Sequence, residues 1–156
     1  MGVGLDPGDK APAFTIPAAG GGQVSLAKLK GKIVVLFFYP KDDTTACTQE
    51  ALNFTEKADE FEALDAVVVG VSRDTVRSHD RFVAKHGLRI LLGADVDGVV
   101  TERYGVWVEK SMYGRKYMGI ERSTFLIGPT GKVVNTWRKV KVAGHVEEVL
   151  AAAKQI

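Results

Sequence analysis

The sequence contains a single cysteine, Cys47, and the residues before it determine what its thiol can do. Segment 39–44 ends what reads as a strand and begins what reads as a helix. Pro40 cannot donate a ladder hydrogen bond, so it stops the strand. Asp43 and Thr44 are residue types that favour the N-cap of a helix. We therefore expect Cys47 in the first turn of a helix that follows a buried strand.

The first turn of a helix favours a thiolate over a thiol. Its backbone N–H groups lack intrahelical partners, and it lies at the positive end of the helix dipole. The thiolate is the nucleophilic form of cysteine, so this position suits a reactive residue. The alternative is inert packing, because cysteine is often buried and Cys47 lies on an apolar stripe. That stripe consists of Cys47, Ala51, Phe54, Ala58 and Phe61.

Pro40, Thr44 and Cys47 form the pattern P-x-x-x-T-x-x-C, which is typical of the peroxiredoxins. The chain resembles the branch of that family called bacterioferritin comigratory protein or peroxiredoxin Q. The resemblance extends from about Lys10 to the last predicted helix. Beyond segment 39–44 it is carried by Ser78-His79, Tyr104 to Trp107, Tyr117 to Arg122, and Phe125 to Ile127.

The resemblance implies a thiol-dependent peroxidase that reduces hydrogen peroxide and organic hydroperoxides without a cofactor or a metal. Cys47 would be the peroxidatic thiolate and would become a sulfenic acid. Thr44 would hydrogen-bond the peroxide, and Pro40 would shield the sulfur from water. Arg122 would stabilise the thiolate and orient the peroxide, a role that suits a permanently charged group with five donors in a rigid fork.

The sequence departs from this branch at two places. Thr45 and Ala46 occupy positions where its members often have proline and glycine. No resolving cysteine is present at Leu52 or near Val83, where many members carry one. Leu52 lies about 140° round the helix from Cys47 and is expected to be exposed. We therefore predict that an external thiol regenerates the enzyme, with thioredoxin, glutaredoxin, glutathione or a second copy of the chain as candidates.

Other functional classes have weaker support in the sequence. A thiol–disulfide oxidoreductase would need a CxxC pair, and a cysteine protease would need a histidine base beside the thiol. His79, His86 and His145 are too scattered to indicate a metal site. A non-catalytic binding module could use region 103–142, which has a net charge of +7, although solvated loops explain that charge more simply. The aromatic residues of this region are expected to be core or pocket walls: Trp107, Tyr113, Tyr117 and Trp137.

The order of predicted elements indicates an α/β fold. We predict a thioredoxin-like architecture with a mixed central β-sheet flanked by helices and preceded by an N-terminal β-hairpin, in one domain spanning 1–156. The hairpin turns at the glycines of 20–22. The later elements are strands over 33–39, 66–72, 90–92, 121–127 and 132–137, and helices over 45–64, 75–86 and about 146–153.

Length, composition and charge indicate the number of domains and the cellular compartment of the protein. A chain of 156 residues with 46% hydrophobic and 26% charged residues is typical of one globular domain. Its net charge of +2 gives no indication of nucleic-acid binding. The longest apolar run, 33–39, is too short to cross a membrane, and the first residues do not resemble a signal peptide. We therefore expect a cytoplasmic protein. We also expect it to be a monomer or a weak homodimer.

Overall fold

The computed structural model of the protein describes residues 5–156. Nine strands and five α-helices follow one another along this part of the chain. The strands are β1 (Thr15–Pro17), β2 (Gln23–Ser25), β3 (Ile33–Phe38), β4 (Ala66–Ser72), β5 (Leu91–Ala94), β6 (Trp107–Met112), β7 (Arg115–Ile120), β8 (Ser123–Ile127) and β9 (Val133–Trp137). The helices are α1 (Thr45–Glu56), α2 (Ala58–Ala63), α3 (Val76–His86), α4 (Val99–Arg103) and α5 (His145–Ala153).

A mixed five-stranded sheet with the order β5-β4-β3-β8-β9 forms the centre of the fold. Strands β3, β4 and β5 are parallel, whereas β8 and β9 are antiparallel to their neighbours. Every residue of β3 is buried, as its continuous apolar sequence predicts for a strand covered on both faces. One hydrophobic cluster covers each face of the sheet. The predicted α/β architecture is confirmed.

The pairing of β3 with β8 determines where distant parts of the sequence meet. Phe38, the last residue of β3, lies opposite Ser123, the first residue of β8. Because the strands are antiparallel, the chain leaving β3 and the chain entering β8 meet at the same edge of the sheet. Cys47 follows β3 and Arg122 immediately precedes β8, so this register brings the two candidates to one edge.

The single helix predicted over 45–64 is wrong, because the helix is interrupted at Lys57. That residue has φ −97° and ψ 9°, outside the α-helical range, and it separates α1 from α2. The interruption lets α1 pack against α5 while α2 packs against β4. Phe54 and Phe61 still reach the same cluster, with their ring centroids 5.9 Å apart.

One hairpin and one short α-helix were not predicted from the sequence. The hairpin of β6 and β7 turns at Tyr113 and Gly114, which both have positive φ, 52° and 77°. Such a turn is usually signalled by Asn-Gly or Asp-Gly, and tyrosine conceals it here. The other is α4, which has only five residues. In contrast, the predicted N-terminal hairpin, formed by β1 and β2, is confirmed. Within residues 5–156, no helix has the length and apolar character needed to cross a bilayer.

Candidate active site

Cys47 lies in the first turn of α1, as its position in the sequence predicts. Thr44 is the N-cap, and its carbonyl accepts the hydrogen bond from the Thr48 N–H at 2.8 Å. The N–H groups of Thr45, Ala46 and Cys47 precede that bond and have no intrahelical acceptor. The Cys47 side chain is buried, with 2% of the residue exposed. The sulfur therefore lies inside the protein but beside the positive end of a twelve-residue helix.

Pro40 and Thr44 lie in the exposed part of the loop that leads from β3 into α1. The Thr44 hydroxyl does not cap the helix with a side-chain hydrogen bond. It donates instead to the carbonyl of Lys41 at 2.8 Å. This bond uses the only hydrogen of the hydroxyl, so its oxygen can still accept a hydrogen bond from another group.

Arg122 contacts two buried groups of α1 through the two ends of its guanidinium. Its Nη2 lies 3.3 Å from the Cys47 Sγ, and its Nη1 donates to the Glu50 Oε1 at 2.8 Å. The Arg122 side chain is 14% exposed and the Glu50 side chain is fully buried. Glu50 lies one helical turn after Cys47, so one planar guanidinium reaches both residues. The result is a cation fixed against the only sulfur atom of a cysteine in the chain.

Burial and the guanidinium have opposite effects on the Glu50 carboxyl. Burial raises its pKa to about 7, and the positive charge of Arg122 limits that rise. Within residues 5–156, the second oxygen of this carboxyl, Oε2, is buried without a hydrogen-bond partner. Burial alone would lower the pKa of Arg122, but the charges of Glu50 and Cys47 raise it. Arg122 therefore stays charged beside the sulfur, while Glu50 changes charge near neutral pH.

Two other basic groups near the site lose affinity for protons. Burial, then the charge of Arg122, lowers the pKa of His145 to about 4, and its Nε2 lies 2.7 Å from the Thr124 hydroxyl. Burial and Arg122 also lower the pKa of Lys110, while the charge of Cys47 acts in the opposite direction. At neutral pH His145 is uncharged, so the cation in contact with the sulfur is Arg122.

A buried hydrogen-bond network fixes the loop that carries Thr44. The Asp42 carboxylate accepts hydrogen bonds from the Tyr39 hydroxyl at 2.6 Å and the Ser78 hydroxyl at 2.8 Å, and it lies 2.7 Å from the His79 Nδ1. The carbonyl of Gly93 accepts from the His79 Nε2 at 2.9 Å. The carbonyl can only accept, so the His79 Nε2 carries a hydrogen and donates it to Gly93. The network ties the loop to α3 and β5.

Asp42, Asp74 and His79 also form a group of potential metal ligands. Their ligand atoms lie within 4.8 Å of one another. All three already bind protein groups, since Asp74 accepts from the Asp42 N–H at 2.9 Å and from the Ser72 hydroxyl at 2.6 Å. We interpret the group as part of the network that holds the loop.

The structure corrects two expectations about exposure. Leu52 is partly buried and packs against the second hydrophobic cluster, to which α5 also contributes. Tyr113 is fully exposed and Tyr117 is 44% exposed, so these two aromatics are not core or pocket walls. Trp107 and Trp137 do pack against the clusters, as expected.

Sequence reasoning identified Cys47 and Arg122, which the structure brings into contact, but it missed Glu50 and Asp42. A signal for Glu50 was present, because an acidic residue stands next to Ala51 on the buried side of α1. Asp42 gave no such signal, since an aspartate in a loop before a helix is common.

Comparisons with known proteins agree with this geometry. The AhpC/TSA family matches residues 7–136. A curated relative named putative peroxiredoxin bcp, from Coxiella burnetii, is 47% identical over 95% of this chain and 98% of its own. Peroxiredoxin Bcp from Bacillus subtilis is 45% identical over 97% of each chain.

Solved structures show the same similarity. Xanthomonas campestris peroxiredoxin Q superposes with a TM-score of 0.87 at 48% identity, covering 91% of this chain and 90% of that one. The C47S mutant of Xylella fastidiosa PrxQ reaches a TM-score of 0.93 at 42% identity, covering 99% and 98%. These similarities confirm the thioredoxin-like fold that the sequence predicted.

Proposed function

Because this chain belongs to the AhpC/TSA family, as a peroxiredoxin of the Bcp/peroxiredoxin Q branch, we propose that its thiol-dependent peroxidase activity runs through Cys47. The observation that carries the proposal is the 3.3 Å contact between the Arg122 Nη2 and the Cys47 Sγ. A fixed cation against a buried sulfur favours the thiolate, which is the form that attacks. The N-terminus of α1 adds free N–H donors on the same side.

In the first step, the Cys47 thiolate attacks one oxygen of the peroxide. An S–O bond forms and the O–O bond breaks, so the sulfur loses two electrons and becomes a sulfenic acid. The leaving oxygen takes the electron pair and a proton, and departs as water or an alcohol. Arg122 and the free N–H groups stabilise the negative charge that develops on this oxygen.

Thr44 positions the peroxide in this proposal. Its hydroxyl hydrogen is held by the Lys41 carbonyl, so its oxygen accepts the hydrogen bond of the peroxide O–H. Pro40 covers the approach to the sulfur and limits the access of water. Reduction of both hydrogen peroxide and organic hydroperoxides is consistent with a structure of the Xanthomonas campestris bacterioferritin comigratory protein that concerns its alkyl peroxide reduction activity.

In the second step, an external thiol regenerates the enzyme, because Cys47 is the only cysteine in the sequence. The thiol attacks the sulfenic sulfur, an S–S bond forms, and water leaves. A second thiol then attacks the external sulfur and releases the Cys47 thiolate. Thioredoxin, glutaredoxin and glutathione are the candidate reductants, and thioredoxin makes this the thioredoxin-dependent type of peroxide reductase. Such reductants point to the cytoplasm as its compartment.

The proposal is tested by peroxide consumption with dithiothreitol as the reductant. The wild-type protein is expected to turn over repeatedly, whereas Cys47→Ser is expected to consume no peroxide above the background of dithiothreitol alone. Mass spectrometry after one equivalent of peroxide and then one equivalent of glutathione should find a wild-type chain that carries one glutathione, because no second thiol is present to release it. Turnover by Cys47→Ser equal to that of the wild type would contradict the proposal.

A further inference from the structure

The hairpin of β6 and β7 stands apart from the central sheet. Within residues 5–156, its two strands pair only with each other. Side chains alternate between the two faces of a strand, and directly paired residues share a face. Trp107 and Ile120 point from one face into the first hydrophobic cluster. The opposite face, which we call the outer face, presents Lys110, Met112, Arg115 and Tyr117.

The outer face lies beside the proposed catalytic centre. Strand β7 ends at Ile120, two residues before Arg122, and the Glu121 N–H donates to the Val106 carbonyl at 2.7 Å at the base of the hairpin. The stem of Lys110 lies flat over Gly119, where an added Cβ would come within 3.2 Å of the Lys110 Cδ. The Lys110 ammonium is close enough to Arg122 and Cys47 for their charges to act on it.

This face combines positive charge with exposed apolar surface. Lys110 and Arg115 are its only charged residues, and among residues 5–156 no carboxylate lies within ion-pair distance of either. Met112 is 55% exposed and Tyr117 is 44% exposed. Aromatic residues, methionine and arginine are enriched in protein interfaces. The face therefore has the composition of a contact surface that lacks its partner.

The proposed function requires a partner thiol from another molecule, which must meet the sulfenic acid of Cys47. The outer face adjoins that site, because β7 ends two residues before Arg122 and the charges of Arg122 and Cys47 act on Lys110. We infer that the outer face docks the reducing protein, and that this partner is a thiol protein with carboxylates and an apolar patch around its reactive cysteine. The inference rests on the proposed function and describes the reductant by the chemistry of its surface.

The four residues define a small patch, which suits a reductant that must leave after each cycle. Its charges would act mainly on the rate of encounter, because steering by unpaired surface charge raises association rates. Methionine and tyrosine would supply the contact once the partner arrives, since methionine adapts its shape and tyrosine offers a large amphipathic surface. A small dithiol needs none of these contacts.

The test compares Arg115→Glu with Lys116→Glu. Both substitutions reverse one charge on the same hairpin, but Lys116 lies on the opposite face and serves as the matched control. Peroxide reduction is measured with an acidic thioredoxin, an acidic glutaredoxin and dithiothreitol. We expect Arg115→Glu to raise KM for the more active protein reductant about tenfold, the lower end of the range for electrostatic steering. Turnover with dithiothreitol should stay unchanged, and Lys116→Glu should change KM less than twofold.

Tyr117→Ser tests the apolar half of the face and is expected to raise the same KM without changing the dithiothreitol rate. Equal effects of Arg115→Glu and Lys116→Glu, or no effect of either, would overturn the inference. The inference would also be overturned if Arg115→Glu changed self-association in sedimentation but left KM unchanged. The molecule that binds the outer face would then be a second copy of the chain. A wild-type protein inactive with dithiothreitol would contradict the proposed function, and the inference with it.

Discussion

Arg122 serves two buried groups of α1, the Cys47 sulfur and the Glu50 carboxyl. The two contacts, 3.3 Å and 2.8 Å, compete for one positive charge. When Glu50 is ionised, it neutralises part of the charge that would otherwise stabilise the thiolate. When it is protonated, more of that charge is available to the sulfur. In the proposed mechanism, the charge state of Glu50 therefore sets how much of the positive charge of Arg122 is available to the Cys47 sulfur.

Glu50→Gln is expected to change how stability depends on pH. The folded-state pKa of Glu50 is raised from 4.5 to about 7, so between these values the folded protein holds a proton that the unfolded chain has lost. Wild-type stability relative to the variant should therefore fall as pH rises from 4.5 to 7, by about 3 kcal/mol at roughly 1.4 kcal/mol per pKa unit. Urea unfolding at a series of pH values measures this difference.

His145 provides an internal check on that measurement. Its folded-state pKa is lowered to about 4 from 6.5, so its contribution to stability rises with pH over this range, opposite to that of Glu50. His145 contributes equally to the stability of the wild type and of Glu50→Gln, so its contribution cancels when the two free energies of unfolding are subtracted. A difference that stays flat from pH 4.5 to 8 would contradict the raised pKa of Glu50.

The proposed roles of Pro40 and Thr44 depend on the loop between β3 and α1, which carries both residues. The Tyr39 and Ser78 hydroxyls donate to Asp42 in this loop, and the His79 Nδ1 lies 2.7 Å from its carboxylate. The next residue, Asp43, has an exposed carboxylate that lies within hydrogen-bond distance of the Lys85 Nζ and the His86 Nε2. Two adjacent aspartates thus connect one loop to one helix, α3, with different degrees of burial.

Asp42→Asn is expected to destabilise the protein far more than Asp43→Asn. An amide in place of the buried carboxylate turns a donor toward groups that themselves donate, and the loss should be about 2–3 kcal/mol. Asp43→Asn should cost far less, because exposed ion pairs contribute little and asparagine tolerates the positive φ of this position. Urea unfolding of both variants provides the comparison, and equal losses would show that the buried network does not hold the loop.

At the scale of the whole molecule, the sequence predicts the central sheet well and its margins poorly. The runs of β3 and β4 are continuous, β-branched and buried, so few other structures suit them. The β6–β7 hairpin is exposed over most of its length, so burial imposes little pattern on its residues. The break at Lys57 depends on which neighbours α1 and α2 pack against, which the helix sequence alone does not contain.

The residues of the candidate site were likewise predictable only in part. Cys47 could be placed from local signals, because a strand end and N-cap residues precede it. Arg122 could be identified only through the family pattern, because it lies 75 positions after Cys47 in the chain. Its contact with Cys47 depends on the register between β3 and β8, which the sequence does not reveal. Glu50 and Asp42 were missed because their roles come from burial and from partners on other elements.

Arg122 is proposed to activate the sulfur of Cys47, and the rate at which that sulfur is oxidised tests this role most directly. The rate constant for loss of the Cys47 thiol is measured by rapid mixing with hydrogen peroxide at pH 7, for the wild type, Arg122→Lys and Arg122→Ala. We predict that Arg122→Ala slows oxidation about 100-fold, the size of effect found when one donor to a developing oxyanion is removed. Arg122→Lys should fall between the two, because it keeps the charge but loses the fork that joins Cys47 and Glu50. Oxidation of Arg122→Ala within twofold of the wild-type rate would contradict the proposed role of Arg122.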